Sequence, residues 1–307
     1  MADAMSSRTQ FARDLKAFPV RLKRAQHMSE LTSMSVGGPV DVVVIKEWRC
    51  LPDIAHFFRS KGIPWRLLGG GSNLLVGDNG LRSVALQLAP ERNGFRFDGS
   101  RVEISAAASL GTSVTRCAKN NLGGISGLVG VPGTVGGALH MNAGAYGTQI
   151  GEFVKAVKVF RSSTGEIEVL QPEGIRFEYR QTSFAADDII LWVTLELIES
   201  PYERIVERIK QCNQKRRVSQ PINEKSSGCI FKNPLGHSAG KMIDDLGMKG
   251  MQVGGAMISN RHANFIVNRH KATASDVFRL MDIMRERVKK AFGVELEEEI
   301  IVWREDS

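Results

Sequence analysis

GGISGLVGVPGTVGGALHMNAGAYG, residues 123–147, is the stretch from which the fold can be argued first. Nine of its 25 residues are glycine, and most of the others are small. Such a run cannot fill a core by bulk, but it can bring main-chain N–H groups close to a ligand in backbone conformations that a Cβ would forbid. We therefore predict a loop wrapped against a large, phosphate-bearing cofactor. The alternative, a string of turns in a β-rich domain, stays open on this stretch alone.

Another glycine-rich segment, GGGSN at residues 69–73, follows a short predicted strand over residues 63–68. In chain order it is the first glycine loop, and the stretch over 123–147 is the second. Consecutive glycines after a strand can form a concave nest of N–H donors able to hold a phosphate. The loop is not a P-loop, because no lysine follows the glycines. It is not a Rossmann fingerprint either, because the apolar and turn-like residues after it open no helix. The two loops thus point away from both common nucleotide-binding folds.

The composition is that of an ordinary globular protein of 307 residues, 42% hydrophobic and 24% charged, with room for two domains. No apolar run approaches the ~20 residues of a membrane span, and the polar N-terminus lacks the features of a secretory signal, so we expect a cytoplasmic protein. The four cysteines are scattered without zinc-binding spacing, so we expect no metal. The net charge of +8 is dispersed, and its one dense internal cluster, residues 215–217, suits an anionic small substrate. We expect no nucleic-acid partner.

Hydrophobic periodicity divides the chain into segments of different character. Residues 36–198 contain many short predicted strands and two helices, near 51–61 and 112–121, which is an α+β pattern. An amphipathic helix begins at Pro201 and ends before Pro221. The C-terminal part carries a predicted helix from Ser238, a β-like stretch to Asn268, a helix over 275–292 and a final strand over 294–303. The predicted organisation is a polar N-terminal lead-in of undecided structure (1–32), a first domain (33–200), a connecting helix (201–220) and a C-terminal domain (221–307).

Several further motifs occur in a fixed order along the chain. With the glycine loops they are GGGSN (69–73), GVPGTVGGALHMNAGAYG (130–147), YRQTSF (179–184), GCIFKNP (228–234), AGKMIDDLGMKGMQVGGAMISNRHANFIVN (239–268) and VELEEEI (294–300). Together they resemble the UDP-N-acetylenolpyruvoylglucosamine reductase (UDP-N-acetylmuramate dehydrogenase) family. The resemblance runs from about Ser35 to Trp303. The short connection between the two domains resembles the compact subtype of that family.

The resemblance implies an α+β fold, in which an FAD-binding domain of the vanillyl-alcohol-oxidase (PCMH) type, built from two α+β subdomains, precedes an α+β substrate-binding domain. It also implies an activity. NADPH reduces noncovalently bound FAD, which passes hydride to UDP-N-acetylglucosamine enolpyruvate and yields UDP-N-acetylmuramate for peptidoglycan synthesis. The implied partners are these small molecules, and we expect a monomer. His140 is interpreted as a structural histidine and not as a covalent flavin attachment.

The motif matches also imply which residues bind the ligands. The FAD-binding set is Gly69, Gly70, Gly71, Ser72, Asn73, Leu74, Pro132, Gly133, Thr134, Gly136, Gly137, Asn142, Gly144, Ala145 and Tyr146. The UDP-sugar is implied to meet Arg216, Lys232 and Asn233, since its diphosphate calls for cationic partners. Residues 215–217 are explained equally well as the solvated end of a helix.

Two charged residues match the family's catalytic positions. Arg180, in YRQTSF, matches the catalytic arginine, and a planar, permanently charged fork suits a carboxylate whose charge grows in the transition state. In isolation it would be an ordinary strand-end arginine. Glu299 matches the C-terminal glutamate, although strand alternation places Glu297 on the same face and spacing alone does not separate the two. The family usually carries an arginine at the position of Ile301, which puts a substrate contact there in doubt.

Cys229 is the departure from the family pattern that bears most on the chemistry. The family's usual proton donor is a serine in GS-x-FKNP, whereas this chain has GCIFKNP. One interpretation is a small buried core residue, a common role for cysteine. Against it, a thiol with an ordinary pKa of about 8.5 is a better acid than an alcohol. We therefore predict that Cys229 is the general acid that protonates C2 of the substrate.

Overall fold

The structure, a computed structural model, describes residues 10–305. The strands in that range are β1 (Val20–His27), β2 (Pro39–Ile45), β3 (Trp65–Leu67), β4 (Leu74–Val76), β5 (Val84–Leu88), β6 (Phe95–Asp98), β7 (Arg101–Ser105), β8 (Leu122–Gly123), β9 (Gly144–Ala145), β10 (Thr148–Gln149), β11 (Val154–Arg161), β12 (Glu166–Leu170), β13 (Phe177–Glu178), β14 (Gln181–Thr182), β15 (Ile189–Glu196), β16 (Ile198–Glu199), β17 (Ser226–Cys229), β18 (Gln252–Val253), β19 (Ala256–Ile258), β20 (Phe265–Asn268) and β21 (Ile301–Trp303).

The α-helices that follow β1 are α1 (Leu51–Ser60), α2 (Leu110–Lys119), α3 (Val135–His140), α4 (Tyr202–Ser219), α5 (Ala239–Asp245) and α6 (Ala274–Phe292). Short 3-10 segments lie at Leu15–Ala17, Met28–Glu30, Trp48–Cys50, Ile125–Leu128, Ile150–Phe153 and Pro172–Gly174. No helix in residues 10–305 combines the length and the apolar character that a membrane crossing requires.

The first sheet has the strand order β1-β2-β5-β3, in which β2, β5 and β3 are parallel and β1 is an antiparallel edge. Helix α1 packs on it and buries Leu51, Ile54 and Phe58 in one core. Strand β1 lies inside the lead-in whose structure the sequence did not decide. Its sequence, VRLKRAQH, has four charged or amide side chains, and its pairing with β2 shifts register around Ala25, which has a φ of 44°. An edge strand with polar residues and a register shift shows little alternation of apolar and polar side chains, so the sequence did not predict it.

The second sheet is fully antiparallel, with the order β12-β11-β15-β7-β6. Helices α2 and α3 contribute Val114 and Leu139 to a core that also contains Val157 and Val193 from the sheet. Burying a side chain of this size stabilises the fold by about 1.5–3 kcal/mol. The cores of the first and second sheets therefore give the glycine loops two rigid supports.

The C-terminal sheet has the order β17-β20-β19-β18 and is covered by α6. The apolar face of α6 buries Val277, Leu280, Met281, Met284 and Val288, as its periodicity predicts. Its first turn has a capping box, and its last turn ends on a glycine with a φ of 69°.

The C-terminal segment returns to the first glycine loop. Strand β21 pairs in parallel with β4, directly after GGGSN, and the side chain of Asp78 accepts hydrogen bonds from the first N–H groups of α6. The predicted final strand over 294–303 was too long, because only Ile301–Trp303 is a strand. Residues 294–300 are held instead by single main-chain contacts, such as that between Lys232 N and Glu297 O at 2.8 Å.

Most predicted helices are confirmed within a few residues of their expected bounds, including α1, α2, α4 and α6, and the strand predicted over 63–68 contains β3. The loop over 123–147 is less open than we expected, because it contains helix α3. The side chain of Thr134 starts this helix by accepting a hydrogen bond from Gly137 N at 3.2 Å. The domain bounds stay a prediction, and residues 1–9 and 306–307 lie outside the described part.

Candidate active site

A cavity of about 450 Å³ lies where the two glycine loops meet the C-terminal sheet. Arg180, Arg216, Cys229 and Glu299 all line it. Of the residues predicted to bind the cofactor, those that line this cavity are Gly69, Gly70, Gly71, Ser72, Asn73, Leu74, Pro132, Gly133, Thr134, Gly137, Gly144 and Ala145. Segments separated by more than two hundred residues thus converge on one space.

The two glycine loops touch each other at Gly70 and Gly133. A Cβ added to Gly70 would lie 2.7 Å from the Cα of Gly133, which is backbone and cannot rotate away. Gly133 itself has a φ of 112°, a conformation that L side chains rarely adopt. The hydroxyl of Ser72 donates to Pro132 O at 3.1 Å and ties the loops together. This side of the cavity is therefore a wall of main chain that leaves N–H groups close to a ligand.

Arg180 is held in a strained and defined position. It follows β13 in a tight hairpin with a φ of 58°, which costs a non-glycine residue on the order of 1–3 kcal/mol. Its Nη1 donates to Gly144 O at 2.9 Å, and its Nε lies 2.8 Å from Oε1 of Glu299. The buried amide of Asn142 donates to Glu178 O at 2.9 Å and so fastens the hairpin to the second glycine loop.

The structure separates Glu299 from Glu297. The Glu299 side chain is 15% exposed and faces Arg180, whereas Glu297 is 78% exposed and pairs with Lys232 at 3.4 Å. Alternation failed to distinguish them because this segment is not a strand. Asn73 donates its side-chain amide to Glu299 O at 3.0 Å and fixes the backbone there. Burial raises the pKa of Glu299, and the charges of Arg180 and Lys232 oppose that shift.

Cys229 ends β17 and is partly exposed, toward the cavity. Asn264 fixes the backbone beside it, since its buried amide donates to Phe231 O at 2.8 Å and accepts from Phe231 N at 3.0 Å. Burial raises the pKa of the Cys229 thiol to about 12, and the charge of Glu299 acts in the same direction. Arg180 and Arg216 act against it. The thiol is therefore protonated at neutral pH, and the ordinary value near 8.5 assumed from the sequence does not hold.

Buried polar atoms without a hydrogen-bond partner gather at this cavity. In residues 10–305 they are Tyr146 Oη, Arg180 Nε, Arg216 Nε and Ser227 Oγ. Three belong to residues that line the cavity, and the ring of Tyr146 lies 5.5 Å beneath the Arg216 guanidinium. The Nε of Arg180 is close to Glu299 but is not aligned with it as a hydrogen bond. Native proteins satisfy nearly all such atoms, so the cluster fits a polar ligand bound in the cavity.

Arg216 is the least compensated charge of the site. No acidic side chain among residues 10–305 forms an ion pair with it, and its Nη1 donates to the neutral Gln220 Oε1 at 2.9 Å. Burial lowers its pKa, and the nearby groups that oppose this shift are Tyr146, Cys212 and Cys229. A buried guanidinium without a counter-charge is costly unless an anion joins it. Arg216 therefore presents a positive charge to the cavity that would suit an anion.

The remaining predicted residues lie elsewhere. Asn142 and Tyr146 do not line the cavity, and the amide of Asn142 is already used by Gln149, Glu178 and Gly151. Lys232 and Asn233 are also outside its lining. The side chain of Asn233 accepts a hydrogen bond from the N–H of Ala239, the first residue of α5, at 3.1 Å.

Two further cavities adjoin the first at the glycine contact. One, of about 440 Å³, contains Gly136 together with Gly69, Gly70, Thr134 and Gly137. The other, of about 530 Å³, lies beyond Gly70 and Gly133 and is reached by α2. In residues 10–305 no cluster of three His, Cys, Asp or Glu side chains is arranged to hold a metal ion. The joined spaces fit an elongated organic ligand that crosses the glycine loops.

Sequence reasoning missed two features of these cavities. Ser227, two residues before Cys229, is buried and lines the active-site cavity with its unpaired hydroxyl. In the sequence, Ser227 could have been noticed from its place in the segment SSGC, residues 226–229. Two cations from β1, Arg21 and Lys23, line the adjoining cavity of about 440 Å³. They were hidden in the lead-in of undecided structure.

Known proteins of one family match this chain over most of its length. A family model described as UDP-N-acetylenolpyruvoylglucosamine reductase, C-terminal domain, matches residues 220–303, and an FAD binding domain model matches residues 39–171. The reductase of Clostridium kluyveri is 38% identical over 287 residues, covering 93% of this chain and 94% of the relative. That of Moorella thermoacetica is 39% identical and covers 91% and 92%. The crystal structure of the reductase from Thermus caldophilus superposes with a TM-score of 0.80 at 37% identity, covering 93% of this chain and 100% of the other.

Proposed function

The chain belongs to the UDP-N-acetylenolpyruvoylglucosamine reductase family, and we propose that it reduces UDP-N-acetylglucosamine enolpyruvate to UDP-N-acetylmuramate with NADPH, through noncovalent FAD. This reaction supplies a precursor of peptidoglycan. The observation that carries the proposal is the convergence of Arg180, Glu299 and Cys229 on one cavity walled by both glycine loops. The unpaired buried atoms around that cavity support a bound polar ligand.

FAD would be held by the main-chain wall at Gly69–Asn73 and Pro132–Gly137, with Gly144 and Ala145 near its reactive end. When bound, FAD supplies the hydride relay between NADPH and the enolpyruvyl ether. The side chains on the wall are small or already bonded to protein atoms, such as Thr134 and Asn73. The wall therefore binds and orients, and the proton chemistry falls to the opposite side of the cavity.

Cys229 is suited to hold and release a proton. Its raised pKa keeps hydrogen on Sγ at neutral pH. The enolate formed when hydride adds to C3 of the enolpyruvyl group is a much stronger base than a thiolate, so proton transfer from Sγ to C2 is downhill despite the high pKa of the thiol. The thiolate left behind lies within the field of Arg180 and Arg216, whose charges favour it.

The cations have different tasks. The charge of Arg180 is already offset by Glu299, so this pair acts as a fixed dipole beside the thiol. Arg216 has no acidic partner within the described part of the chain and would bind the substrate carboxylate or a phosphate. As negative charge moves onto the carboxylate during hydride addition, a preorganised guanidinium stabilises the transition state more than the ground state.

An anaerobic titration in two steps tests this function. NADPH is expected to bleach the flavin absorbance of the purified protein, and UDP-N-acetylglucosamine enolpyruvate is expected to restore it. UDP-N-acetylglucosamine, which lacks the enolpyruvyl group, is the matched control and should leave the flavin reduced. A flavin that is bleached by NADPH but is not restored by the enolpyruvyl compound would contradict the proposed substrate.

A further inference from the structure

The loop between β19 and β20, residues 259–264, reaches two separate segments of the active site without entering its cavity. Its sequence is SNRHAN, and no residue of this loop lines any of the three cavities. The strands on either side of it pair at Ile258 and Ile266. The reaction above gives this loop no task. Its two long-range contacts come from side chains three positions apart, those of Arg261 and Asn264.

The loop is braced by its own hydrogen bonds. The main chain of the buried residue Ser259 donates to Phe265 O at 2.8 Å, and its side chain accepts from Arg261 N at 3.1 Å. Nδ1 of His262 accepts from Asn264 N at 3.3 Å, and the His262 ring packs against that of Phe265 with 4.8 Å between centroids. The positions of Arg261 and Asn264 are therefore fixed from within the loop.

Asn264 reaches the segment that follows the proton donor. Strand β17 ends at Cys229, and beyond it the buried side-chain amide of Asn264 bonds both the N–H and the C=O of Phe231. The main chain of Asn264 also accepts from Ile230 N at 2.8 Å. On the other edge of the segment, Ile230 O accepts from Glu299 N at 2.8 Å. The segment after Cys229 is thus held between the loop and Glu299.

Arg261 reaches the end of α4, the helix that carries Arg216. Its Nη1 donates to Arg217 O at 2.7 Å and to Gln220 O at 3.3 Å. The last carbonyls of a helix have no partner inside the helix, and an arginine can satisfy them. Gln220 lines the cavity, and its side chain accepts from Arg216 Nη1 at 2.9 Å. Arg261 therefore fixes the main chain of the residue that holds the Arg216 guanidinium.

We propose that Arg261 and Asn264 are positioning residues, in which Asn264 places the Cys229 thiol for proton transfer and Arg261 places the Arg216 guanidinium for the substrate anion. The inference rests on the proposed function, because it takes Cys229 and Arg216 to act on the substrate. Neither positioning residue lines the cavity, so each acts through the residue that it holds. A displacement of about 1 Å at a reacting group can cost about 100-fold in rate.

A double-mutant cycle on the full-length flavoprotein tests the role of Asn264. Asn264→Ala is expected to slow reoxidation of the reduced flavin by the enolpyruvyl substrate about tenfold or more, and to change reduction by NADPH less than about twofold. In a Cys229→Ala background it should slow reoxidation by less than about twofold, because the residue that it positions is absent. Asn268→Ala is the matched control. It removes hydrogen bonds to Met34 O and Ser35 O from the other end of β20 and should leave both rates nearly unchanged.

A second cycle tests the role of Arg261 in substrate binding. R261Q is expected to raise the concentration of enolpyruvyl substrate for half-maximal reoxidation about fivefold, and by less than about 1.5-fold in an R216Q background. R287Q is the control. It removes the same charge from an exposed position of α6 that lines none of the three cavities, and it should leave this concentration unchanged.

Three outcomes would overturn the inference. One is an equal effect of Asn264→Ala on flavin reduction and reoxidation, which a merely structural role would produce. Another is additivity in either cycle, and the third is a variant that behaves as its control. If Asn264→Ala does not fold, N264D keeps the side-chain shape and an acceptor for Phe231 N and repeats the comparison. A wild type whose reduced flavin is not reoxidised by the enolpyruvyl substrate would contradict the proposed function, whereas an active wild type with unaffected variants would contradict this inference alone.

Discussion

The two sides of the active-site cavity differ in the groups that line them. One side is main chain, where Gly70 and Gly133 are in contact and side chains are small. The other side is a cluster of functional side chains, in which the charges of Glu299, Arg180 and Arg216 all act on the pKa of Cys229. Added side-chain bulk should disrupt cofactor binding on the main-chain side. Removal of charge should disrupt the proton chemistry on the side-chain side. Binding of the cofactor and proton chemistry should therefore respond to different mutations.

The largest effect is expected where charge is removed from the side-chain side. Arg180→Gln leaves Glu299 buried beside Cys229 without its partner. We expect turnover to fall by about 100–1000-fold and stability by about 3 kcal/mol, while flavin content is retained. The three effects are followed by turnover assays, by urea denaturation and by the flavin-to-protein absorbance ratio. The double variant R180Q/E299Q should recover much of the stability but not the turnover, and equal stability of the single and double variants would contradict the buried-pair account.

The reactivity of Cys229 tests how strongly its surroundings act on it. Because burial raises its pKa to about 12, the thiolate is scarce at neutral pH. After allowance for the greater nucleophilicity of a more basic thiolate, alkylation by iodoacetamide at pH 7 should be about 100-fold slower than for a free thiol. The rate should continue to rise above pH 9, where an ordinary thiol levels off. Mass spectrometry of the labelled peptide, with C229S as control, measures it, and a plateau near pH 9 would contradict the raised pKa.

Added bulk should damage the main-chain side. Gly70→Ala places a Cβ 2.7 Å from Gly133 Cα, so one loop must move. We expect a loss of about 2 kcal/mol and a protein purified with little flavin. Gly174→Ala is the matched control, since nothing lies within 4 Å of an added Cβ there. Full flavin content in Gly70→Ala would show that the contact between the loops does not shape the cofactor site.

The smallest effect is expected from the side-chain hydrogen bond of Ser72 that ties the glycine loops together. Ser72→Ala removes the hydrogen bond to Pro132 O and is expected to cost about 0.5–1 kcal/mol, with a flavin Kd raised a few-fold. Ser60→Ala, which removes a local bond to Phe57 O at 2.9 Å in α1, is the control for stability. If the flavin Kd changes as little in Ser72→Ala as in Ser60→Ala, the hydrogen bond between Ser72 and Pro132 does not contribute to cofactor binding.

The sequence predicted most accurately those helices and strands that have a regular hydrophobic pattern. The helices predicted near 51–61 and over 275–292 lie close to the observed bounds of α1 and α6. The resemblance supplied Arg180, Cys229 and Glu299, which the structure brings to one cavity. Their electrostatic state was not predictable, because the pKa of Cys229 depends on burial by residues distant in sequence.

The failures have a common physical origin in tertiary contacts. Periodicity did not separate Glu297 from Glu299, because residues 294–300 follow isolated contacts and not a ladder. Asn142 matched a cofactor motif, and the sequence did not show that its amide also fastens the Arg180 hairpin; its cofactor role stays a prediction. Strand β1 was missed because charged residues at a sheet edge carry no apolar alternation, and with it the two cations of the adjoining cavity went unnoticed.

The central claim is that the side-chain side supplies the proton and the main-chain side does not. Single-turnover measurements on Cys229→Ala and Cys229→Ser test it most directly, since they follow reduction of the flavin by NADPH and its reoxidation by the enolpyruvyl substrate separately. We predict reduction at the wild-type rate in both variants. Reoxidation should be slowed by about 100-fold or more in Cys229→Ala and largely retained in Cys229→Ser. Reoxidation of Cys229→Ala at the wild-type rate would contradict the account.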